Sequence, residues 1–567
     1  MHQNNLSQIS DSTIKNQYWI FFSVLVFLAL FMMFCNGLSS SYSGFDFFFH
    51  YRRLYALIEA LKDGTYISYI DYSNADGYGY MIKPFYSDVI LIPFAFIGIF
   101  TSVYCAYDVM IFTMTVLSGI FMYHMMKVIY KNDYAASIGG ILYAFAIYRL
   151  HDIYQRGALG ESLSFTFLPI VFLGLYHIIK GDYKKWYILA IGYSLLIYSH
   201  VIASVLLFVL LLVFLVIYYK SFVREPKRIT YLLVAGVVTL IITSYYIFPT
   251  LEQLTNSSFY LDARNPGGGA GYGKVGFDFI LWGFISGLAY IDNELWAGIG
   301  IILTLVILLR LFIKWDKSAG LLKNTDILVI IGICLIIATS RIFPWGRFPF
   351  NLISFIQYPW RLYEFVSFFF AVAGGYYISL LFIRRKQQIA AFTAIVLLTM
   401  ITIYIHSENF KSLFPPEKKV ITTESSYFNR YQTIGGEYFP TKLPAIEYIY
   451  QRGEVVDKKN NDTKITAFKR EKNLTILDVT VNKADTLTLP LLYYYGYNVT
   501  LNGNNIDFNE NDYGLIQIFI DKSGKIEAYY KGTIIQQTSF YISSISAILL
   551  IIFIIISKRK KENGQTR

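Results

Sequence analysis

The stretch Gly44–Leu61, GFDFFFHYRRLYALIEAL, carries an acid, an imidazole and a guanidinium at helical spacing. Read as a helix, Asp46, His50, Arg53 and Leu57 share one face. A carboxylate beside an ionisable ring and a planar cation can take a proton from a hydroxyl while an anionic leaving group is held. The plainer reading is an amphipathic helix at a membrane edge whose arginines touch lipid headgroups.

A second charged group lies in YRLHDIYQRGALGESL, where Arg149, His151, Asp152, Arg156 and Glu161 sit between two apolar runs. Ionisable residues at a membrane edge face a cavity or a headgroup rather than lipid tails, so Arg156 and Glu161 are the preferred candidates here. The alternative is a solvated connector whose charges pair with one another. His200, in SLLIYSHVIASVLL, falls where two apolar runs meet, a place where a lone histidine commonly bonds between helices; it is a lesser candidate. In QYPWRL, Trp360 is ordinary interfacial chemistry, while Arg361 either snorkels or grips a phosphate with a permanently charged fork. Arg341 and Arg347, on the same side, favour the grip.

The glycine-rich stretch NPGGGAGYG is not a nucleotide site. Gly268 to Lys274 has the spacing of a phosphate loop, but Val275 stands where a Ser or Thr must reach magnesium, and no strand–loop–helix pattern surrounds it. It reads as a mobile outer loop, a lid over a cleft.

These groups need elements to position them, and composition says which. The chain of 567 residues is 55% hydrophobic, 18% aromatic and 15% charged, the balance of a membrane protein. Its net charge of +11 is spread over short basic clusters between apolar runs, where it sets topology; nucleic acid is not an expected partner. Cys35, Cys105 and Cys334 all lie in apolar or interfacial segments, so neither a disulfide framework nor a thiolate metal site is expected. The first span, Tyr18–Asn36, reads as a retained anchor rather than a cleaved leader.

Twelve apolar runs are long enough to count as spans: 18–37, 108–128, 134–148, 163–179, 186–199, 201–219, 229–248, 296–313, 325–340, 363–383, 388–405 and 538–557. With Pro84–Ser102 lying in the interface or re-entering from outside, the basic clusters and both termini become cytoplasmic. The candidate residues then collect on the extracytoplasmic face. From His406 to Thr538 the pattern changes to alternating, β-branched segments such as KITAFKR, NLTILDVTV and LIQIFI, separated by turn residues, which predicts a small β-sandwich. The expected architecture is a polytopic α-helical membrane protein of about twelve transmembrane helices. Residues 1–405 would form the membrane domain with an outer juxtamembrane helix at 44–63, 406–537 an extracytoplasmic β-rich domain, and 538–567 a final helix with a basic cytoplasmic tail.

The Asp–His–Arg helix, the loop with Arg156 and Glu161, the SH pair, QYPWRL and the later GGEYFP (435–440) together resemble the bacterial membrane proteins called 6-pyruvoyl-tetrahydropterin synthase-related, within the GT-C superfamily of lipid-linked-sugar glycosyltransferases. The name is not an activity: pterin synthases are small soluble zinc enzymes, and no compact histidine triad lies outside the membrane runs. The resemblance implies a GT-C-like fold and transfer of a sugar from a polyprenyl-phosphate or pyrophosphate carrier, usually with inversion. It implies an acid in the first outer loop acting at the acceptor, here Asp46, and a second acid used for metal or substrate, here Glu161. A single Glu without a D-x-D pair leaves a divalent metal an open matter, and no cofactor is certain. Arg53, Arg156 and Arg361 would stabilise the leaving phosphate, His50 would orient Asp46 or bind phosphate, and His200 and Glu437 would contact substrate. The partners implied are the sugar donor, a cell-envelope glycan or lipid acceptor, membrane lipids, and a cytoplasmic glycosyltransferase and flippase that supply the donor. Two rivals remain: a noncatalytic scaffold of envelope polysaccharide assembly, which would tolerate Asp46→Asn, and a lipid or polysaccharide transporter, which predicts mid-span charge and inverted repeats.

Overall fold

The computed structural model describes residues 2–36, 44–65, 69–260, 270, 274–291, 294–314, 320–413 and 436–565. The described part of each of the twelve apolar runs falls wholly or mainly on helix, 296–313 beginning on the strand Glu294–Ala297. Seven helices are long and apolar enough to cross a membrane: Gln17–Cys35, Val103–Tyr130, Leu159–Ile179, Gly320–Thr339, Pro359–Leu381, Arg385–Ser412 and Ile534–Arg559. The pair Lys227–Ile242 and Ser244–Asn256, bent by 67°, makes eight if it is one broken span. The other four runs form the shorter helices Asp133–Ala144, Trp186–Ser199, Val201–Ile217 and Gly300–Leu308, below the roughly 20 residues an isolated span needs. Among the described residues the expected twelve transmembrane helices thus become seven or eight of full spanning length, with the remaining runs on shorter helices. Pro84–Ser102 contributes only Ile92–Phe100, about 14 Å of helix against roughly 30 Å of hydrocarbon.

The chain divides into two compact units: residues 1–47, 108–239 and 266–419 in the first, residues 48–107, 240–265 and 420–567 in the second. This differs from the linear division expected from composition. The helix Arg385–Leu413 runs through residue 405 without a break, and the polar region is grouped with segments far upstream in the chain. Composition marks where polarity changes, not which segments pack together.

In the first unit the helix Tyr363–Leu381 is buried along nearly its whole length. It packs against Asp133–Ala144, Gly320–Thr339 and Gly300–Leu308. Close approach is enforced by small residues: a Cβ on Gly375 would lie 2.6 Å from the Ala135 carbonyl oxygen. In the second unit a five-stranded antiparallel sheet (Asn504–Asn505, Tyr497–Leu501, Gly524–Tyr530, Leu474–Thr480, Lys464–Glu471, in spatial order) accompanies a four-stranded one (Phe508–Glu510, Leu515–Ile520, Asp485–Leu492, Asp457–Lys458). Leu477, Val479, Leu487, Leu489, Ile516, Ile518 and Ile526 from both sheets share one core, the sandwich that the alternating segments predict. Upstream, Arg52 and Asp71 form a bidentate pair at 2.9 and 3.0 Å, both buried. The cysteines are free.

Candidate functional site

The site in the first unit is built around an irregular piece of helix. The helix Ile147–His151 continues into a π-helical turn, Asp152–Arg156, ended by Gly157 at φ +63°. The wider π turn places Asp152 and Arg156 on the same side, and such turns recur at functional sites. Arg156 Nη1 donates to Asp152 Oδ1 and to Glu161 Oε2, both at 2.7 Å. The Tyr148 hydroxyl donates to Glu161 Oε1 at 2.5 Å. Arg361 approaches the same carboxylate, with Nε 3.7 Å from Glu161 Oε2. Asp152 and Glu161 are almost without solvent exposure, so one arginine bridges two buried carboxylates.

Asp46 joins this cluster through the backbone. Its N–H donates to the Arg156 carbonyl at 2.7 Å, and the Phe45 N–H donates to the Gln155 carbonyl at 3.1 Å. The approach leaves no room for side chains: a Cβ on Gly44 would lie 2.7 Å from the Gly157 nitrogen, and one on Gly157 would lie 2.6 Å from the Phe47 nitrogen. Gly44→Ala must therefore push two backbones apart. Its expected cost is about 1–3 kcal/mol in thermal denaturation, together with a fall in whatever activity depends on Asp46. An unchanged Tm would show that the two backbones are not in contact.

The charges acting on the Asp46 carboxyl are those of the cluster. Burial raises its pKa above the ordinary carboxylate range; Arg156 and Arg361 oppose that, and Glu161 adds to it. Asp152 is raised further, first by burial and then by Glu161, against the pull of Arg156. Arg156 would be lowered by burial, but Glu161 and Asp152 raise it well above its usual value. The cluster thus combines a fixed cation with carboxyls of graded proton affinity.

Two polar atoms in it have no hydrogen-bond partner among the described residues: Asp152 Oδ2 and Arg361 Nε. The other Arg361 nitrogens donate to the Ile356 carbonyl at 3.0 Å and to Gln357 Oε1 at 3.4 Å. The acidic pair does not fit a divalent cation, because Arg156 already bridges Asp152 and Glu161, and no group of three or more His, Cys, Asp or Glu among the described residues could hold one.

His200 belongs to this neighbourhood. It caps the helix Val201–Ile217 by accepting from the Ala203 N–H at 3.4 Å, and its Cδ2 lies 3.4 Å from where a Cβ on Gly160 would be. Burial pushes its imidazolium down to about 3, opposed by Glu161 and reinforced by Arg361 and Arg156, so the ring is neutral at ordinary pH. Glu364 was not anticipated. It accepts from Ser164 Oγ and lies within electrostatic reach of Glu161, Asp152 and Arg361. Its signal was a carboxylate three residues after Arg361 inside an apolar run.

The second unit holds His50, Arg53 and Glu437. Asp46 precedes the helix Phe47–Asp63 rather than sharing a helical face with His50 and Arg53, a correction to the spacing argument. The chain makes a turn at Phe45–Asp46 because both backbones bond to the π turn. Arg53 instead donates to the Ser87 carbonyl at 3.0 Å, contacts His50 Nδ1 at 3.0 Å, faces Asp88 at 3.9 Å and lies over the Tyr86 ring at 4.9 Å. Lys83 shares Asp88 at 3.6 Å. Burial raises Asp88, while Lys83 and Arg53 pull it down. Glu437 lies beside Tyr438, whose ring stacks on Phe85 at 3.8 Å, and its charge acts on buried Tyr80. Arg341 and Arg347 are exposed. Most of NPGGGAGYG lies outside the described residues, as does the first position of the GGEYFP stretch.

Helices of this length and hydropathy, enclosing a buried acid–arginine cluster, define an integral membrane protein. Residues 90–262 match the family model described as the 6-pyruvoyl-tetrahydropterin synthase related domain, membrane protein, which bears out the resemblance read from the sequence. An uncharacterized protein of Lactococcus lactis subsp. cremoris (strain MG1363) is 22% identical over 343 residues, 58% of this chain and 55% of that relative. The match therefore spans about half the relative's length. Among solved structures, the archaeal oligosaccharyltransferase AglB from Archaeoglobus fulgidus, in complex with an inhibitory peptide and a dolichol-phosphate, is similar at 14% identity and a TM-score of 0.37, covering 70% of this chain and 56% of that one.

Proposed function

We propose that this chain is a GT-C-like membrane glycosyltransferase that moves a sugar from a polyprenyl-phosphate carrier to a cell-envelope glycan or lipid on the extracytoplasmic face, with both termini in the cytoplasm. The observation that carries the reading is the placement of Asp46. Its carboxyl is raised by burial, is influenced by two arginines, and is fixed by its own backbone to the π turn that carries one of them.

In the proposed reaction the acceptor hydroxyl oxygen attacks the anomeric carbon as the bond from that carbon to the carrier phosphate oxygen breaks. The hydroxyl proton passes to Asp46, and the carrier leaves as its phosphate. A carboxyl with raised proton affinity is a better general base than an ordinary one. Stabilising the leaving phosphate falls to Arg361, whose Nε makes no hydrogen bond among the described residues and faces Glu161 only at 3.7 Å. Arg156 is already committed to Asp152 and Glu161, so its role is to position the acids. Glu161, held by Tyr148 and Arg156, orients Arg361. His50, Arg53 and Glu437 have no step in this reaction. A cytoplasmic glycosyltransferase and a flippase would supply the donor.

The test is envelope glycan composition in a deletion strain complemented with wild type or Arg361→Ala at matched protein levels. Loss of one sugar, restored by wild type and not by Arg361→Ala, supports transfer and identifies the sugar. An unchanged glycan in the deletion strain removes the enzyme reading and puts transport first.

A further inference from the structure

The opposite end of the helix Leu159–Ile179 has its own feature. Glu161 lies in the first turn of this helix and Lys180 caps its last, about 28 Å further along the axis. Near Lys180 an apolar crevice of about 190 Å³ opens between helices of the first unit, lined by Met125, Ile129, Phe172, Leu175, Phe214 and Leu328 among others. A water molecule needs roughly 10–15 Å³ plus two to four polar partners, and the polar groups of this lining are few, Lys180, Asn324 and three tyrosines among mostly apolar side chains. Hydrocarbon fits the crevice better than water does.

Its mouth is cationic. Lys180 lines the crevice, with Nζ 4.6 Å from the centre of the Tyr218 ring, and the Tyr218 hydroxyl donates to Asn324 Oδ1 at 3.2 Å. Lys323 lies in the chain between the crevice-lining residues Leu321 and Asn324, close enough for its charge to act on Lys180. Neither lysine forms an ion pair with a carboxylate among the described residues, whereas neighbouring Arg310 and Arg228 are paired with Asp326 and Glu225. The helix terminus and the tyrosine ring account for Lys180. Lys323 belongs to one of the short basic clusters that set topology, and the apolar slot beside the two ammonium groups is what sets this place apart.

The geometry points to a bound anionic phospholipid, with one acyl chain in the crevice and its phosphate between Lys180 and Lys323. Lysine suits this as a compact point charge that tolerates several headgroups. An anionic phospholipid is the occupant assigned because it is the abundant source of that chemistry in a membrane, and abundance drives occupancy. The site is separate from the acid–arginine cluster and does not depend on its function.

The experiment is native mass spectrometry of the full chain in mild detergent, titrated with phosphatidylglycerol, phosphatidylcholine or a polyprenyl phosphate. One phosphatidylglycerol is expected to bind in preference to phosphatidylcholine. The double variant Lys180→Gln/Lys323→Gln is expected to weaken it about 30-fold, from roughly 1 kcal/mol per lysine. Both lysines are exposed, so the variant should fold; Lys180→Arg, which keeps the charge, is expected to retain the lipid, and Leu175→Trp, which fills the crevice, to exclude it. Equal retention of the two phospholipids, or no effect of the double variant, overturns the site. Preferential retention of the polyprenyl phosphate overturns the phospholipid assignment.

Discussion

Asp46→Asn is expected to lower glycosyl transfer by about 10²–10⁴-fold, the range a positioned general base contributes. The change keeps the size of the side chain and the backbone bond to the Arg156 carbonyl, and removes only the ability to accept the proton. Loss of activity through unfolding can be told apart from this. Because burial raises the folded-state pKa of Asp46, its contribution to stability is complete below the unfolded value and is lost as pH rises through the folded one. Above the folded-state pKa the ionised carboxyl is a cost to the fold. The asparagine variant should therefore denature at the same temperature as wild type or higher, while its activity is lost.

The pH profile of kcat/KM provides an independent check. A base must be deprotonated, so activity falls as pH drops through the Asp46 pKa, and the raised value moves that fall above the ordinary aspartate range near 3.9. An acid limb at or below that range, or full glycan restoration by Asp46→Asn in the deletion strain, would falsify the assignment. In the second case the scaffold reading takes its place.

Several parts of this arrangement could be read from the sequence, for identifiable reasons. The strand Leu515–Ile520 coincides with LIQIFI, and Lys464–Glu471 begins where KITAFKR begins, because β-branched and aromatic runs bounded by turn residues favour a strand. The apolar runs were equally legible. Arg156, Glu161 and Arg361 could be chosen because a charge beside an apolar run needs a reason. The grouping of Asp46 with Arg156 rather than with His50 and Arg53 could not be read. Helical periodicity assumes an unbroken helix, and the turn at Asp46 is made by backbone bonds to residues more than a hundred positions away, which leave no periodic trace. The π turn has no sequence signature for the same reason. Asp152 looked like one more charge in a polar loop; only its burial beside Glu161 sets it apart.

Arg156→Met should be the most damaging single change to stability in the cluster. Arg156 is the common partner of Asp152 and Glu161, which have 0% and 1% side-chain exposure. Taking one member from a buried ionic group leaves uncompensated charge and costs about 3–5 kcal/mol. Removing the three bridged charges together is different, since their desolvation penalty goes with them and Arg361 keeps Asp46 within electrostatic reach. The triple variant Arg156→Met/Asp152→Asn/Glu161→Gln should therefore recover most of the lost stability, because Asn and Gln retain the shapes of the acids and the amide oxygen that replaces the Glu161 carboxylate could still accept from the Tyr148 hydroxyl. Thermal denaturation of the full chain in detergent measures both variants. Activity should separate from stability in the triple variant: with neither the acids nor the bridging cation, Arg361 loses the carboxylate that orients it, and transfer stays low in a well-folded protein. If the triple variant were as unstable as Arg156→Met, the arginine would be acting through packing. If it regained activity along with stability, the cluster would be structural, and Asp46 and Arg361 would have to carry the chemistry without it.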